Sequence, residues 1–431
     1  MSVELSGIPG LNPIPWENID IQWKKHLQNH IQSLQPPHYF VFPETPIALA
    51  SAIKLANESN WQVLICGNGS KLSWGGLVKE AQLVISTQRL NRIIDHAIGD
   101  LTVTVEAGMT IAELQKTLIP SNQFLPLDPC YPESATIGGI IATMDAGNWR
   151  QGYGGVRDLL LGLSFVRADG VIAKAGGRVV KNVAGYDLMK LFCGSFGRLG
   201  IITQATIRLY PNPDSSTTLI LQGSLPKVEA FAQIIRQSRL TPTAAEMVSN
   251  SLLINLGFEK TEGLLIRFQG MDQSIEEQKR QVSQIAKNLD LKISHSQSEK
   301  EISVWQKIMQ LTRQSHSKPT IICKIGIIPN QIAKLITQIN ILLGEDTNAT
   351  VNVSTGLGYL QINQEISIEH LRQLRNYCQE NQGYLTILEA PIKIRQEIIP
   401  WKYNHDTKQI MVKIKEKFDK KQIFNPSIFS L

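Results

Sequence analysis

The sequence has no long apolar run. None of its hydrophobic stretches approaches the ~18 residues that a membrane-spanning helix needs. The N-terminal segment MSVELSGIPGLNPIPW lacks a basic region followed by an apolar one, so we expect no secretory signal. A chain of 431 residues is too long for one ordinary hydrophobic core. We therefore expect a cytoplasmic protein with two domains.

Paired cysteines are also missing. The chain has five cysteines, an odd number, and no CxxC spacing joins any two of them. This usage argues against a disulfide framework and against a structural zinc site, and it predicts reduced thiols. The cysteines are Cys66, Cys130, Cys193, Cys323 and Cys378.

The charge distribution and the absence of nucleotide-binding motifs exclude further classes of protein. The net charge is +6, and the one dense basic segment, 413–421, contains acids as well, which is typical of a solvated helix face rather than a nucleic-acid stripe. The eight histidines are dispersed, so we expect no metal site. No GKS or GKT occurs, and Leu72 stands where a Rossmann fingerprint beginning at Gly67 and Gly69 would have its third glycine.

Glycine, by contrast, is abundant in one half of the chain, above all between Asp128 and Pro211. Glycine inside a regular element is unfavourable, so such clustering marks turns or close backbone approach to a ligand. An earlier glycine turn, 67–71, follows a predicted strand over 62–66. Its residues tolerate positive φ, and their N–H groups can converge on an anion. The turn alone fits either a ligand-binding loop or a plain turn after a strand.

Five motifs in a fixed order carry a family resemblance. The motifs are Cys66-Gly67-Asn68-Gly69-Ser70, Ala135-Thr136-Ile137-Gly138-Gly139 with Ala142, Tyr153-Gly154 with Val156-Arg157-Asp158, Gly194-Ser195-Phe196-Gly197 with Leu199 to Ile202, and Phe418-Asp419 with Ile423-Phe424-Asn425-Pro426. By these motifs the region from about residue 36 to 211 resembles the flavin-binding domain of the vanillyl-alcohol oxidase and p-cresol methylhydroxylase type, and the C-terminus resembles the terminal segment of that family.

The resemblance implies FAD as the cofactor. Some members attach the flavin to a histidine in the first turn, and this turn has none, so we expect non-covalent FAD. The residues that the resemblance assigns to FAD binding are Gly67, Asn68, Gly69, Ser70, Lys71, Ser134, Ala135, Thr136, Gly138, Gly139, Ala142, Tyr153, Gly154, Val156, Asp158, Gly200, Ile201, Ile202 and Asn425.

The phrase from Gly177 to Leu188, GRVVKNVAGYDL, is similar to the E-type flavin-binding subunits of glycolate oxidase, relatives of the D-2-hydroxyacid dehydrogenases. This similarity implies a complex in which a second flavoprotein and an iron–sulfur subunit accompany this chain, with oxidation of glycolate to glyoxylate. Peripheral attachment to a membrane through those subunits stays open. The catalytic relatives carry clustered histidines and acids that this sequence lacks. An accessory electron-relay or structural subunit, or a stand-alone oxidase of another hydroxy acid or alcohol, therefore remains an alternative.

One lysine is a weak catalytic candidate. Lys181 either stabilises negative charge on reduced flavin or on a substrate carboxylate, or it begins a helix and pairs with Asp187. The other catalytic residues stay unknown at this point.

The expected fold class is α+β. A leader and helix occupy 1–35, a two-part FAD-binding domain of the vanillyl-alcohol oxidase type 36–212, an α+β cap 213–399, and a segment returning to the FAD domain 400–431. Strands alternating with amphipathic helices predict a ferredoxin-like arrangement for the cap.

Overall fold

The structure is a computed structural model that describes residues 2–28, 30–31, 35–178, 185–315 and 320–426. The chain forms two compact units. The first unit comprises 1–147, 154–212 and 403–431, and the second comprises 148–153 and 213–402. The short segment 148–153 thus groups with the second unit, whereas the sequence analysis placed it in the FAD-binding domain.

The first unit begins with a small sheet of order β1-β2-β4-β3, in which β2, β4 and β3 are parallel. The helix between β2 and β3 starts at Thr45, whose hydroxyl accepts a hydrogen bond from the N–H of Ala48 as its N-cap. The elements are α1 (Ser2–Ser6), β1 (Ile14–Pro15), α2 (Ile21–Gln28), β2 (Tyr39–Val41), α3 (Pro46–Glu58), β3 (Val63–Cys66) and β4 (Leu83–Ser86).

A second sheet of the same unit is antiparallel, with order β5-β6-β10-β8-β9. Helix α4 follows β6 and begins with a capping box, in which Thr110 and Glu113 satisfy each other's backbone N–H groups. The elements are β5 (Ile93–Ala97), β6 (Thr102–Glu106), α4 (Ile111–Leu118), β7 (Gln123–Phe124), α5 (Ile137–Thr143), α7 (Val156–Leu159), β8 (Leu160–Val166), β9 (Ile172–Gly176), β10 (Ile201–Arg208) and β11 (Tyr210–Pro211). Helix α6 (Arg150–Tyr153) lies between α5 and α7 in the chain and belongs to the second unit.

The second unit is built on one eight-stranded sheet of order β15-β12-β14-β13-β17-β18-β16-β19. It consists of two βαββαβ halves, each with the strand order of a ferredoxin-like fold, where the sequence analysis predicted such an arrangement once. The elements are β12 (Ser215–Gly223), α8 (Leu225–Gln237), β13 (Ala244–Val248), α9 (Asn250–Asn255), β14 (Glu262–Gly270), α10 (Asp272–Asn288), β15 (Lys292–Gln297), α11 (Ser298–Arg313), β16 (Ile321–Gly326), α12 (Ile332–Leu343), β17 (Asn348–Asn352), β18 (Leu357–Ile362), α13 (Ile368–Glu380), β19 (Tyr384–Glu389) and α14 (Ile392–Glu397).

The last helix, α15 (His405–Phe418), returns the chain to the first unit. A buried ion pair folds the tail behind it. Lys415 pairs with Asp419, whose two carboxylate oxygens accept hydrogen bonds from the N–H groups of Ile423 and Phe424 at 3.1 and 2.8 Å. Burial, which outweighs the attraction of Asp419, lowers the pKa of Lys415 to about 8.

We expect Asp419→Ala to destabilise the first unit by about 3–5 kcal/mol, since removal of one partner strands the other charge in the interior. Asp419 is fully buried. Asp406→Ala, which removes an exposed carboxylate on the same helix, is the control. Thermal and urea unfolding of both variants measures the difference. Equal midpoints for the two variants would contradict this account.

Candidate functional site

A cleft opens in the first unit. Its walls come from the turn after β3, the first turns of α5, the start of β10 and the C-terminal tail. The cleft therefore gathers segments from residue 30 to residue 425 of the chain. Apolar residues and glycines make up most of the lining, and a smaller number of polar side chains is distributed among them, as expected for a cofactor site.

The turn after β3 presents its backbone to the cleft. Gly69 has φ +76°, a left-handed conformation that glycine adopts without strain. Among the residues described by the structure, none accepts a hydrogen bond from the backbone N–H groups of Asn68, Gly69 or Ser70. Three neighbouring N–H donors and the Ser70 hydroxyl thus line the same cleft. This donor set fits the diphosphate of the expected dinucleotide.

Helix α5 contributes differently. The N–H of Ile137 donates to Met109, that of Gly138 to Ala107 and that of Gly139 to the Thr136 hydroxyl, so these N-terminal groups have partners within the chain. A Cβ on Gly138 would lie 2.9 Å from that of Ala107. The glycines of this helix therefore permit close packing and leave the cleft open, while the donors come from the turn.

The turn and α5 touch at one point. A Cβ built on Gly67 would lie 2.8 Å from the Thr136 Cγ2 and closer still to its Oγ1. Thr136 is the N-cap of α5, because its hydroxyl accepts from Gly139 at 3.2 Å. Any side chain at residue 67 would separate the two walls.

The tail closes the other side of the cleft. The side-chain oxygen of Asn425 accepts from the N–H of Ile65 at 2.7 Å, and its amide nitrogen donates to the carbonyl of Phe196 at 2.6 Å. Asn425 also donates its backbone N–H to Val63. Both polar atoms of the side chain thus join β3 to the loop before β10, which makes Asn425 a clamp of the cleft wall.

Two ionisable side chains of the cleft have fixed partners. The Nζ of Lys71 lies 2.8 Å from Asp145 and 5.3 Å from the ring centre of Trp74. Burial raises the pKa of the Cys66 thiol to about 12, so it stays protonated, and its Sγ donates to the Ile85 carbonyl. Cys66 is therefore a neutral part of the wall.

Most residues expected at the FAD site do line the cleft. They are Gly67, Asn68, Gly69, Ser70, Lys71, Ala135, Thr136, Gly138, Gly139, Ala142, Gly200, Ile201, Ile202 and Asn425.

Five expected residues do not line the cleft. Ser134 bonds the carbonyl of Tyr131, Gly154 has φ +83° in the loop before α7, and Asp158 accepts from the N–H of Gly155. Val156 packs in the core, and Tyr153 belongs to the second unit. Their placement follows from capping, core packing and the course of the chain, so their role in FAD binding stays a prediction. Lys181 lies outside the described residues.

Other lining residues had not been assigned to the site. Cys66, Phe196 and Gly197 belong to quoted motifs, and Trp74 follows the turn closely, so the sequence held a signal for each. No such signal pointed to His30, because it lies in the segment interpreted as a leader. The remaining unassigned residues are Leu64, Ile65, Leu72, Val78, Thr87 and Thr143.

Searches for metal and membrane features covered the same described residues. Within them, no group of three or more His, Cys, Asp and Glu side chains could hold a metal ion. Nor does any described helix have both the length and the apolar character to cross a bilayer.

Sequence comparison now decides the cofactor. Residues 37–176 match the profile of the FAD binding domain family. FAD is the cofactor of this chain. The match begins just before β2 and ends with β9, so it contains the glycine turn and α5. The FAD-binding character predicted from the motifs is confirmed.

Solved flavoproteins share the fold. p-Cresol methylhydroxylase with substrate bound superposes with a TM-score of 0.72 at 14% identity, covering 96% of this chain and 98% of that one. The 4-ethylphenol oxidase from Gulosibacter chungangensis gives 0.71 at 12% identity, with 94% and 92% covered. The predicted fold of the vanillyl-alcohol oxidase type is confirmed.

The curated relatives are named as oxidase subunits or dehydrogenases of hydroxy acids. Glycolate oxidase subunit GlcD of Bacillus subtilis (strain 168) is 29% identical, over 70% of this chain and 69% of that protein. D-lactate dehydrogenase of Archaeoglobus fulgidus is 31% identical over 56% and 58%, and glycolate oxidase subunit GlcE of Escherichia coli (strain K12) is 34% identical over 43% and 53%. The matches to the latter two span just over half of each relative.

We expect Gly67→Ala to weaken FAD binding about tenfold or more, because the added methyl group pushes the turn away from Thr136 and such overpacking costs about 1–3 kcal/mol. Titration of the apoprotein with FAD, followed by flavin fluorescence, measures the affinity. The matched control is Gly99→Ala, since a Cβ there meets nothing within 4 Å. If both variants bind FAD equally well, the contact between turn and helix does not shape the site.

Proposed function

We propose that this chain is the FAD-binding subunit of a glycolate oxidase or dehydrogenase complex. In this proposal glycolate, a 2-hydroxy acid, is oxidised to glyoxylate, and the electrons pass through the flavin to an iron–sulfur partner. The cleft carries the proposal, because segments of four of the five motifs converge on it. The similarity to subunits GlcD and GlcE of glycolate oxidases supports it further.

Bound FAD supplies the two-electron acceptor for the hydride of the substrate α-carbon. The residues of the chain hold and shield it. The N–H groups of residues 68–70 would hold the diphosphate, and Lys71, whose charge is paired with Asp145, lines the same cleft. The protonated thiol of Cys66 adds no charge beside it.

An accessory relay subunit is the second candidate function. The observation that favours it is the pairing of buried charges within the second unit. Arg267 bonds Glu301 at 2.9 Å, and Glu301 also accepts from Ser216 and Thr218. Glu246 accepts from Thr350 and Asn352. These buried charged groups stabilise the second unit. A relay subunit would need no additional charged side chains, because it does not bind a substrate.

We expect the purified protein to carry a flavin spectrum that survives gel filtration and is released by denaturation, since the first turn offers no histidine for attachment. Anaerobic glycolate should then bleach the visible flavin band. Acetate, a carboxylate of similar size without the hydroxyl, is the control. Bleaching of the chain alone excludes the relay. A band that responds only after the partner subunits are added favours the relay, and a band that never responds to glycolate contradicts the proposed substrate.

A further inference from the structure

The segment containing Trp23, His26 and His30 precedes the matched FAD-binding domain, which begins at residue 37. Its described residues are those of α2 together with 30 and 31. Two anchors dock it on the first unit. The ring of Trp23 packs on Phe40 of β2 with centres 4.9 Å apart, and the carbonyl of His30 accepts from the N–H of Val78 at 2.9 Å. The position of this segment is therefore fixed at both ends.

His26 reaches the turn that presents the N–H donors. Its Nε2 lies 2.6 Å from the carbonyl oxygen of Gly69. Because a carbonyl only accepts, Nε2 must carry the proton and donate. Together with the hydrogen bond that the N–H of Leu72 donates to the same carbonyl at 3.1 Å, this bond fixes the orientation of the peptide group after Gly69, whose N–H belongs to Ser70. His26 thus binds this peptide group at its carbonyl oxygen, on the side opposite to the N–H donor of Ser70.

The contact is also steric. A Cβ on Gly69 would lie 3.0 Å from the ring of Trp23 and 3.1 Å from that of His26. The rings of His26 and His30 are in edge contact, with centres 5.3 Å apart. His30 is 7% exposed and lines the cleft beside Val78 and Trp74. The rings of Trp23, His26 and His30 therefore form a continuous cluster that extends from the turn to the cleft.

We propose that this N-terminal segment is part of the FAD site. His26 is a positioning residue that holds the diphosphate-binding turn through the Gly69 carbonyl, and His30 contacts the bound dinucleotide. The inference rests on the FAD assignment and is independent of the substrate. Its test therefore does not depend on whether the protein oxidises glycolate.

The test compares the affinities of the full-length apoprotein for FAD and for ADP by isothermal titration. ADP carries the diphosphate without the flavin ring. We expect His26→Ala to weaken both ligands by the same factor, about tenfold, which corresponds to ~1.4 kcal/mol. His26→Gln, whose amide can still donate to Gly69, should retain most of the affinity. Lys25→Ala, a change at an exposed neighbour on α2, is the control.

His30→Ala tests the direct contact. The backbone bond from Val78 remains in this variant, so the segment stays docked, and we expect weaker FAD binding. Wild-type FAD affinity in both His26→Ala and His30→Ala would overturn the proposal. Loss of FAD affinity in His26→Ala with unchanged ADP affinity would overturn the role of His26 at the diphosphate turn. Should His26→Ala fail to fold, His26→Gln and His30→Ala decide the question.

Discussion

The close approach of Gly67 to Thr136 is the contact on which the cleft depends. It joins the turn after the parallel strands to the first turn of α5, and it leaves no room for a side chain at residue 67. The N–H groups of α5 donate to Met109, Ala107 and Thr136, so α5 does not need acceptors in the turn. The N–H groups of the turn can therefore bind a ligand. One wall supplies close packing and the other supplies backbone N–H donors, which suit a diphosphate.

The tail makes this arrangement possible at the edge of the small sheet. Strand β3 is an edge strand, and Phe424 pairs with Val63 in a parallel bridge, so the tail covers backbone groups that would otherwise be exposed. The ion pair of Lys415 and Asp419 turns the chain so that Asn425 reaches Ile65, 360 residues away in sequence. A buried charge pair is a poor source of stability but a good means of fixing one conformation, which is what a cofactor wall requires.

Much of this was predictable from sequence where local chemistry fixes the structure. The caps at Thr45 and Thr110 and the glycine turn obey rules that act within a few residues. The site assignments failed to anticipate His30, because its place in the cleft depends on a bond to Val78 and on the packing of Trp23 over β2, which no local pattern records. Tyr153 shows the reverse case. It stands in a motif, yet the neighbouring Gly152 bonds the carbonyl of Thr243 and draws the segment into the second unit.

The repeat in the second unit was not predicted from the sequence for a similar reason, since its two halves share a strand order and no obvious motif. They join where β13 pairs with β17 over three residue pairs. At this join Glu246 is buried and accepts hydrogen bonds from Thr350 and Asn352 across the strands. A one-residue slip would break both bonds and bury an unpaired carboxylate, so the network specifies the register of the join. Glu246 thus links the two halves through its bonds with Thr350 and Asn352.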